Sequence, residues 1–185
     1  MRRVRAVELF FALGWALFWV YWFVSAFGAK RSKVAWGSEL RIRIVIVVCA
    51  VVLLRLGVFR GGELTTDPLR AACGMLLFVL GLGFAIWARV HIGRNWGGPM
   101  SRKDDPELVT GGPYRLVRHP IYGGILVASV GTAIALNWAW LIVVALAGTY
   151  FVYSATVEER YLSGVLPDSY PSYRRSTKMF VPFIL

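Results

Sequence analysis

Between two apolar segments the chain reads GPYRLVRHPIYG, residues 112–123, and the fold can be worked out from this stretch in both directions. The run opens with turn residues, continues with alternating basic and apolar side chains, and places His119 directly before Pro120. Proline is favoured in the first turn of a helix, where the N–H that it lacks would have no intrahelical partner. The stretch therefore predicts a helix that begins at Pro120, with one wall of a binding site just before it at the membrane surface.

Apolar blocks lie on both sides of this stretch, and 57% of the 185 residues are hydrophobic. Several blocks approach the roughly 20 residues that a helix needs to cross a bilayer. The sequence predicts an all-α, polytopic integral membrane protein with about five transmembrane helices. The second span is extended to residues 40–59, and Arg55 interrupts it. The almost uncharged blocks are residues 9–27, 42–54, 71–88, 121–136 and 139–157.

The charge distribution predicts the orientation of these spans. The net charge is +11, and 15 of the 21 lysines and arginines fall on the side that holds the 91–118 loop and the C-terminal tail. Positive residues accumulate on the cytoplasmic side of membrane proteins, so this side is predicted to be cytoplasmic. Topology and anionic lipids account for the charge, and no nucleic-acid-binding motif is present. Membrane lipids, and not nucleic acid, are therefore the expected partners.

The last two spans form a predicted hairpin, because Asn137 and Trp138 are the only polar break between them. His119 lies about 18 residues before this turn and Glu158 about 20 residues after it, so at roughly 1.5 Å per residue both lie about 27–30 Å from the turn. His119 and Glu158 should emerge at the same depth. The N-terminal residues 1–90 are predicted to form three spans, and residues 91–185 a region that contains the predicted binding site and the hairpin 120–158.

The polar residues at this depth leave alternatives open. Glu158 and Glu159 close an otherwise uncharged segment, and they either mark the water boundary or direct one carboxylate into a site. His119 is either a hydrogen-bonded residue at a helix start or a catalytic group. The helix start after it favours anions, such as the carboxylate of a ligand. The tail, residues 161–185, is predicted to be an amphipathic interfacial segment that could also cover the site.

Cysteines and histidines do not predict a metal centre. Cys49 and Cys73 fall inside predicted spans, and we expect them to be buried structural thiols. His91 and His119 are the only histidines, and no Cys/His cluster has the spacing of metal ligands. No metal site is therefore expected.

Three groups of residues carry a resemblance to a known family. They are LVTGGPYR at 108–115 followed by RHPIYG at 118–123, the Glu158-Glu159 pair with Leu162, and Tyr170, Tyr173-Arg174 and Pro182 in the tail. Together they resemble the isoprenylcysteine carboxyl methyltransferase family, to which the phospholipid N-methyltransferases are similar. The resemblance covers about half of the chain, from residue 88 to the C-terminus.

The resemblance implies an integral membrane enzyme that uses S-adenosyl-L-methionine to methylate a lipophilic small molecule or lipid at the cytoplasmic face. Glu158 and His119 would be the catalytic residues, and Ser154 and Glu159 would bind the substrate. The implied cofactor pocket consists of Pro106, Glu107, Leu108, Val109, Tyr114, His119, Pro120, Ile121, Tyr122 and Glu158.

The identity of the methyl acceptor stays open in the sequence. Enzymes of the prenylcysteine type look to carry an arginine one helical turn before the first glutamate. At that position this chain has Ser154. Serine cannot neutralise a substrate carboxylate, so a lipid amine, an isoprenoid acid, a thiol and a prenylated peptide all remain candidates. Two other classes also remain. One is the membrane sterol and steroid reductases, which share a similar Arg-His-Pro-x-Tyr string and use reduced nicotinamide, and the other is a non-enzymatic membrane protein.

Overall fold

The computed structural model describes residues 2–28, 32–34, 44–45, 48, 52, 55–56, 67–97, 99–103 and 106–181. Within these ranges the protein is predominantly helical, as predicted, and it also contains one small antiparallel pair of strands. The strands are β1 (Ser32–Val34) and β2 (Ser101–Lys103). The helices are α1 (Arg2–Ala26), α2 (Pro68–Ile92), α3 (Pro120–Ala135), α4 (Trp140–Val165) and α5 (Tyr170–Ser176), with 3-10 turns at Gly93–Asn95 and Gly112–Arg115.

Three of these helices are long and apolar enough to cross a membrane, namely α1, α2 and α4. The helix α3 is apolar but has only 16 residues. Most of the predicted second span lies outside the described residues, although Ile44, Val45, Val48, Val52 and Arg55 within it are helical. The structure thus supports an integral membrane protein, while the predicted number of five spans stays a prediction.

Small residues bring α2 and α3 into close contact. A Cβ atom on Gly81 would lie 2.5 Å from the backbone nitrogen of Ala128, and one on Gly131 would lie 2.5 Å from the carbonyl oxygen of Gly74. Such distances leave no room for a side chain, so glycine permits the two backbones to touch. The pair α2–α3 is therefore the rigid centre of the described fold.

The helix α1 packs on this pair through aromatic rings. Phe11 and Phe78 meet with ring centroids 4.7 Å apart in an edge-to-face arrangement, and Trp15 lies 5.5 Å from Phe78. The indole of Trp15 also donates a hydrogen bond of 3.2 Å to Thr132 on α3. Edge-to-face rings add stabilisation beyond burial alone. These contacts hold α1 against α2 and α3.

The predicted hairpin is present, with α3 beginning at Pro120 and the turn at Asn137 and Trp138. The Asn137 side chain accepts a hydrogen bond of 2.9 Å from the Ala139 N–H, which stabilises the turn. The expectation that the glutamate pair ends the last helix was wrong, because α4 continues to Val165. Pro167 is the first residue after the glutamate pair that cannot continue the helix. The charge of Glu159 is stabilised inside the helix by the partners described below.

Cys73 was also predicted wrongly, since its side chain is exposed on α2. Its position faces away from α3, toward the surface that lipid would cover. Burial in a membrane span does not imply burial in the protein, because the bilayer solvates apolar surface. Cys49 lies outside the described residues.

Candidate functional site

A cavity of about 650 Å³ opens between the end of α2, the start of α3 and α4, whose lining residues run from Trp140 to Leu162. This volume lies in the range of about 300–1,000 Å³ that is typical of small-molecule sites. All ten residues predicted to form the cofactor pocket line it, including Pro106, Glu107, Leu108 and Val109 of the loop. Of the two predicted substrate-binding residues, Ser154 and Glu159, neither lines it.

Of the two adjacent glutamates of α4, Glu158 is the one that lines the cavity. Its Oε1 atom accepts a hydrogen bond of 2.6 Å from the Tyr122 hydroxyl and one of 2.9 Å from the Met100 N–H. Its Oε2 atom lies 3.6 Å from Nδ1 of His119, and the side chain is 23% exposed. Hairpin counting had predicted that His119 and Glu158 lie at one depth, and the structure confirms this.

Parallel rings continue the site from His119 along α3 and α4. The His119 and Tyr122 rings are 5.6 Å apart with an angle of 4°, and Tyr122 stacks on Phe151 at 4.5 Å and 6°. Because ring faces pack flat, the orientation of the imidazole is fixed by its neighbours. Tyr122 therefore has two roles, as a stacking surface and as a donor to Glu158.

Glu159 points away from the cavity into a buried cluster of charges. It is 2% exposed, and its Oε1 atom lies 2.7 Å from Nε of Arg118 and 3.3 Å from Nε2 of His119. Its Oε2 atom lies 3.2 Å from Nε of Arg174. A carboxylate inside a protein is stable only when it is paired and hydrogen-bonded in this way. The two adjacent glutamates thus have different surroundings.

The segment after α5 runs beside the stretch that precedes α3. The N–H groups of Arg118 and His119 donate to the carbonyls of Lys178 and Met179 at 2.8 and 3.0 Å. The guanidinium of Arg118 donates to the carbonyls of Arg174 and Thr177. The tail therefore packs against the stretch before α3, with a helix of only seven residues, and its predicted place at the membrane interface stays a prediction.

Two tyrosines of the tail and one tyrosine of the loop lie beside this segment. Tyr170 and Tyr173 line the cavity, and the Tyr173 hydroxyl donates a 2.6 Å hydrogen bond to the Tyr114 carbonyl. Burial raises the pKa of Tyr173 to about 12, and burial, followed by the neighbouring Tyr173 and Glu158, raises the pKa of Tyr114 further. Both phenols therefore keep their protons at neutral pH. The buried Tyr114 hydroxyl has no hydrogen-bond partner within the described residues.

The loop before Tyr114 is held in place by contacts with the end of α2. The Asn95 amide donates a 2.6 Å hydrogen bond to Glu107. Gly112 adopts a φ of +56°, and a Cβ atom there would lie 2.7 Å from the His91 ring. Only glycine combines this backbone conformation with so close a ring. His91 is therefore a packing residue for the loop.

Ser154 is completely buried in α4, and within the described residues its hydroxyl has no hydrogen-bond partner. The sequence missed several residues of the site, of which Met100 contacts Glu158 through its backbone. The missed aromatic side chains look like ordinary membrane-span residues in the sequence, so no local signal distinguishes them. They include Trp19, Trp22, Trp96, Trp140, Tyr150 and Phe151, all of which line the cavity. Among the described residues, no group of three His, Cys, Asp or Glu side chains could hold a metal ion.

The fold and the site define an integral membrane protein with a ligand-sized cavity, which is lined by the carboxylates of Glu107 and Glu158 and by a set of aromatic rings. Residues 69–169, more than half of the chain, match the family model described as phospholipid methyltransferase. The chain belongs to this family.

Among the curated relatives, two are named as methyltransferases and a third is named as a metal-resistance protein. The chain is 36% identical over 85 residues to protein-S-isoprenylcysteine O-methyltransferase of Schizosaccharomyces pombe, covering 45% of this chain and 36% of the relative. It is 31% identical to protein-S-isoprenylcysteine O-methyltransferase B of Arabidopsis thaliana over 60% of this chain and 58% of the relative. It is also 31% identical to cobalt-zinc-cadmium resistance protein CzcN of Cupriavidus metallidurans, over 75% of this chain and 61% of the relative. In each case the match spans less than two thirds of the relative's own length.

Proposed function

We propose that the protein transfers a methyl group from S-adenosylmethionine to a lipophilic acceptor that enters from the membrane. The observation that carries this proposal is the meeting of His119, Tyr122 and Glu158 on one wall of the cavity that all ten expected cofactor residues line. Membership of a methyltransferase family supports the same reaction. We further assign the cofactor site to the region 91–185 and to the cytoplasmic face, on the distribution of basic residues.

The residues of the cavity suit this cofactor, which joins an amino acid, a sulfonium, a ribose and an adenine. Glu158 supplies a carboxylate for hydroxyl or ammonium groups. The first turn of α3 has no side-chain cap, and its free N–H groups suit a carboxylate. The unpartnered Tyr114 hydroxyl supplies a further polar contact. Aromatic rings provide flat surfaces for a heterocycle.

The cofactor, when bound, supplies a methyl group on a positively charged sulfur. The protein's own contribution is to position the two reactants and to exclude water from the site. Rigid stacking of His119, Tyr122 and Phe151 fixes one wall, and the tail segment with Tyr170 and Tyr173 closes another. Alignment of two reactants can contribute on the order of 7–11 kcal/mol to a displacement reaction. An acceptor that is already an anion needs no acid or base of the chain, whereas an acceptor with an N–H, O–H or S–H group must also release a proton.

The apolar side of the cavity is where we place the acceptor. Trp19 and Trp22 of α1 and Trp140 and Val143 of α4 line it there, so the N-terminal helix also contributes to the site. Such a surface suits an acyl or isoprenoid chain and disfavours a water-soluble acceptor. The names of the curated relatives are consistent with a lipidated acceptor.

Incorporation of labelled methyl groups tests this function. Purified protein in lipid nanodiscs would be incubated with methyl-labelled S-adenosylmethionine and a total lipid extract of the host, followed by separation of the lipid classes. We expect label in one lipophilic product for the wild type and for Thr156→Ala, an exposed α4 position, and loss of label for Glu158→Ala. Equal label in the wild type and Glu158→Ala, or none in any lipid class, would oppose the proposal.

A further inference from the structure

The partners of Glu159 determine whether the oxygen atoms of this buried side chain donate or accept hydrogen bonds. Its Oε1 atom faces Nε of Arg118 at 2.7 Å, and its Oε2 atom faces Nε of Arg174 at 3.2 Å. A guanidinium is always a donor, so both carboxylate oxygens of Glu159 act as acceptors. The same Oε1 atom lies 3.3 Å from Nε2 of His119.

This arrangement fixes the tautomer of His119. Since Glu159 can only accept, Nε2 of His119 must carry the hydrogen of this contact. A neutral imidazole has one N–H group, and the other nitrogen, Nδ1, then carries the lone pair. Nδ1 lies 3.6 Å from Glu158 Oε2, beyond hydrogen-bond distance, and His119 lines the cavity. The lone pair is therefore left for a group that enters the cavity.

The ring is also prevented from turning. Tyr122 lies parallel to it at 5.6 Å, and Phe180 of the tail lies at 5.9 Å on a tilted plane. The His119 N–H donates to the Met179 carbonyl at 3.0 Å, which anchors the backbone beside the ring. A half-turn of the ring would break the contact with Glu159, and any smaller rotation would also break the stacking on Tyr122. A carboxylate that orients a histidine through one ring nitrogen commonly determines what the other nitrogen does.

We propose that Glu159 is a positioning residue that acts through His119: it holds the imidazole as the Nε2–H tautomer, so that Nδ1 accepts a hydrogen bond from an N–H, O–H or S–H group of the methyl acceptor. This assignment differs from the direct substrate contact expected from the sequence, and the identity of the ligand rests on the proposed function. Glu158 and Glu159 then have separate tasks, one toward the ligand and one toward the histidine.

Nitrogen NMR on the whole protein tests the tautomer directly. The chain contains two histidines, so ¹⁵N-histidine labelling gives two imidazole sets, and His119→Asn identifies the one that matters. The spectrum would be recorded about two pH units above the ordinary imidazole pKa of about 6.5. We expect His119 to show a protonated Nε2 and an unprotonated Nδ1. A protonated Nδ1 in the wild type would overturn the proposal, and this result requires no bound cofactor.

Variants separate positioning from a merely structural role. Glu159→Gln should give a mixture of tautomers, and Glu159→Asp should restore the Nε2–H form in part. Arg160→Gln, at the next and exposed position of α4, is the matched control. Methyl transfer should fall in Glu159→Gln and recover in Glu159→Asp, while the affinity for S-adenosylmethionine stays unchanged. An unaltered tautomer in Glu159→Gln would contradict the inference. Failure of the wild type to bind S-adenosylmethionine would refute the proposed function and leave the tautomer result standing.

Discussion

The hydroxyl of Tyr122 joins the two halves of the site at the scale of a single residue. It donates to Glu158 on α4 while its ring stacks between His119 and Phe151. Removal of the hydroxyl leaves the stacking intact and leaves Glu158 with the Met100 N–H as its donor. The chain therefore allows the polar and the stacking roles of one side chain to be tested separately.

Tyr122→Phe should weaken binding of S-adenosylmethionine without unfolding the protein. Loss of one hydrogen bond to a charged group corresponds to about 1.5 kcal/mol, or roughly tenfold in affinity. Titration calorimetry would measure the affinity, and thermal unfolding would confirm the fold. Tyr153→Phe, at an exposed tyrosine of α4, is the matched control and should bind as the wild type does. Equal affinity in Tyr122→Phe and the wild type would show that Glu158 needs no help from Tyr122.

The proximity of His119 and Glu158 was predictable, because the rise of the two helices and the position of one turn place both residues at the same depth. Which glutamate faces the cavity was not predictable. Adjacent helical residues point about 100° apart, and the choice depends on where Arg118 and Arg174 lie in the folded chain. The contact of Met100 with Glu158 is a backbone contact from a distant loop and has no signature in the sequence.

At the scale of the elements, the close pair α2–α3 holds the first turn of α3 in position. Gly124 lies one residue after the RHPIYG string, and a Cβ atom there would lie 2.6 Å from the Gly81 carbonyl. The sequence shows these glycines but not their partners, since small residues serve contacts within and between chains equally well. The length of α4 was likewise missed, because the cluster that accommodates Glu159 forms only in the folded protein.

Gly124→Ala should destabilise the protein, while Gly83→Ala on α2 should not. The added methyl group at position 124 meets backbone, and overpacking of this kind costs about 1–3 kcal/mol. Position 83 has no atom within 4 Å, so alanine there removes only the flexibility of glycine. Tryptophan fluorescence during thermal unfolding in detergent would measure both. A lower unfolding temperature for Gly83→Ala than for Gly124→Ala would contradict the described packing.

At the scale of the whole molecule, His119 and Glu158 lie at the opposite end of the α3–α4 hairpin from the turn at Asn137 and Trp138. The long helices α1, α2 and α4 are apolar along lengths that suit a bilayer. In the sequence, 15 of the 21 lysines and arginines fall on the predicted side of the site. Hydropathy predicted the membrane helices better than it predicted side-chain contacts, because it acts over whole segments, and the orientation stays a prediction.

Labelling of single cysteines tests the orientation. In a background where Cys49 and Cys73 are replaced by serine, a membrane-impermeant maleimide applied to intact cells should label Trp138→Cys in the hairpin turn. It should label Arg115→Cys, beside the site, only after permeabilisation. The reverse pattern would place the site outside the cytoplasm. Labelling of both positions after permeabilisation confirms that each variant is accessible.

The central claim, that the cavity binds S-adenosylmethionine through Glu158, is tested most directly by calorimetric titration of the purified full chain. We expect saturable binding of S-adenosylmethionine to the wild type and to Thr156→Ala. In Glu158→Gln the affinity should fall about tenfold or more, because the side chain no longer carries the negative charge that contacts the cofactor. The parallel titration uses a reduced nicotinamide nucleotide, for which no binding is expected. Absence of heat with S-adenosylmethionine together with clear binding of the nicotinamide nucleotide would contradict the assignment and favour a reductase.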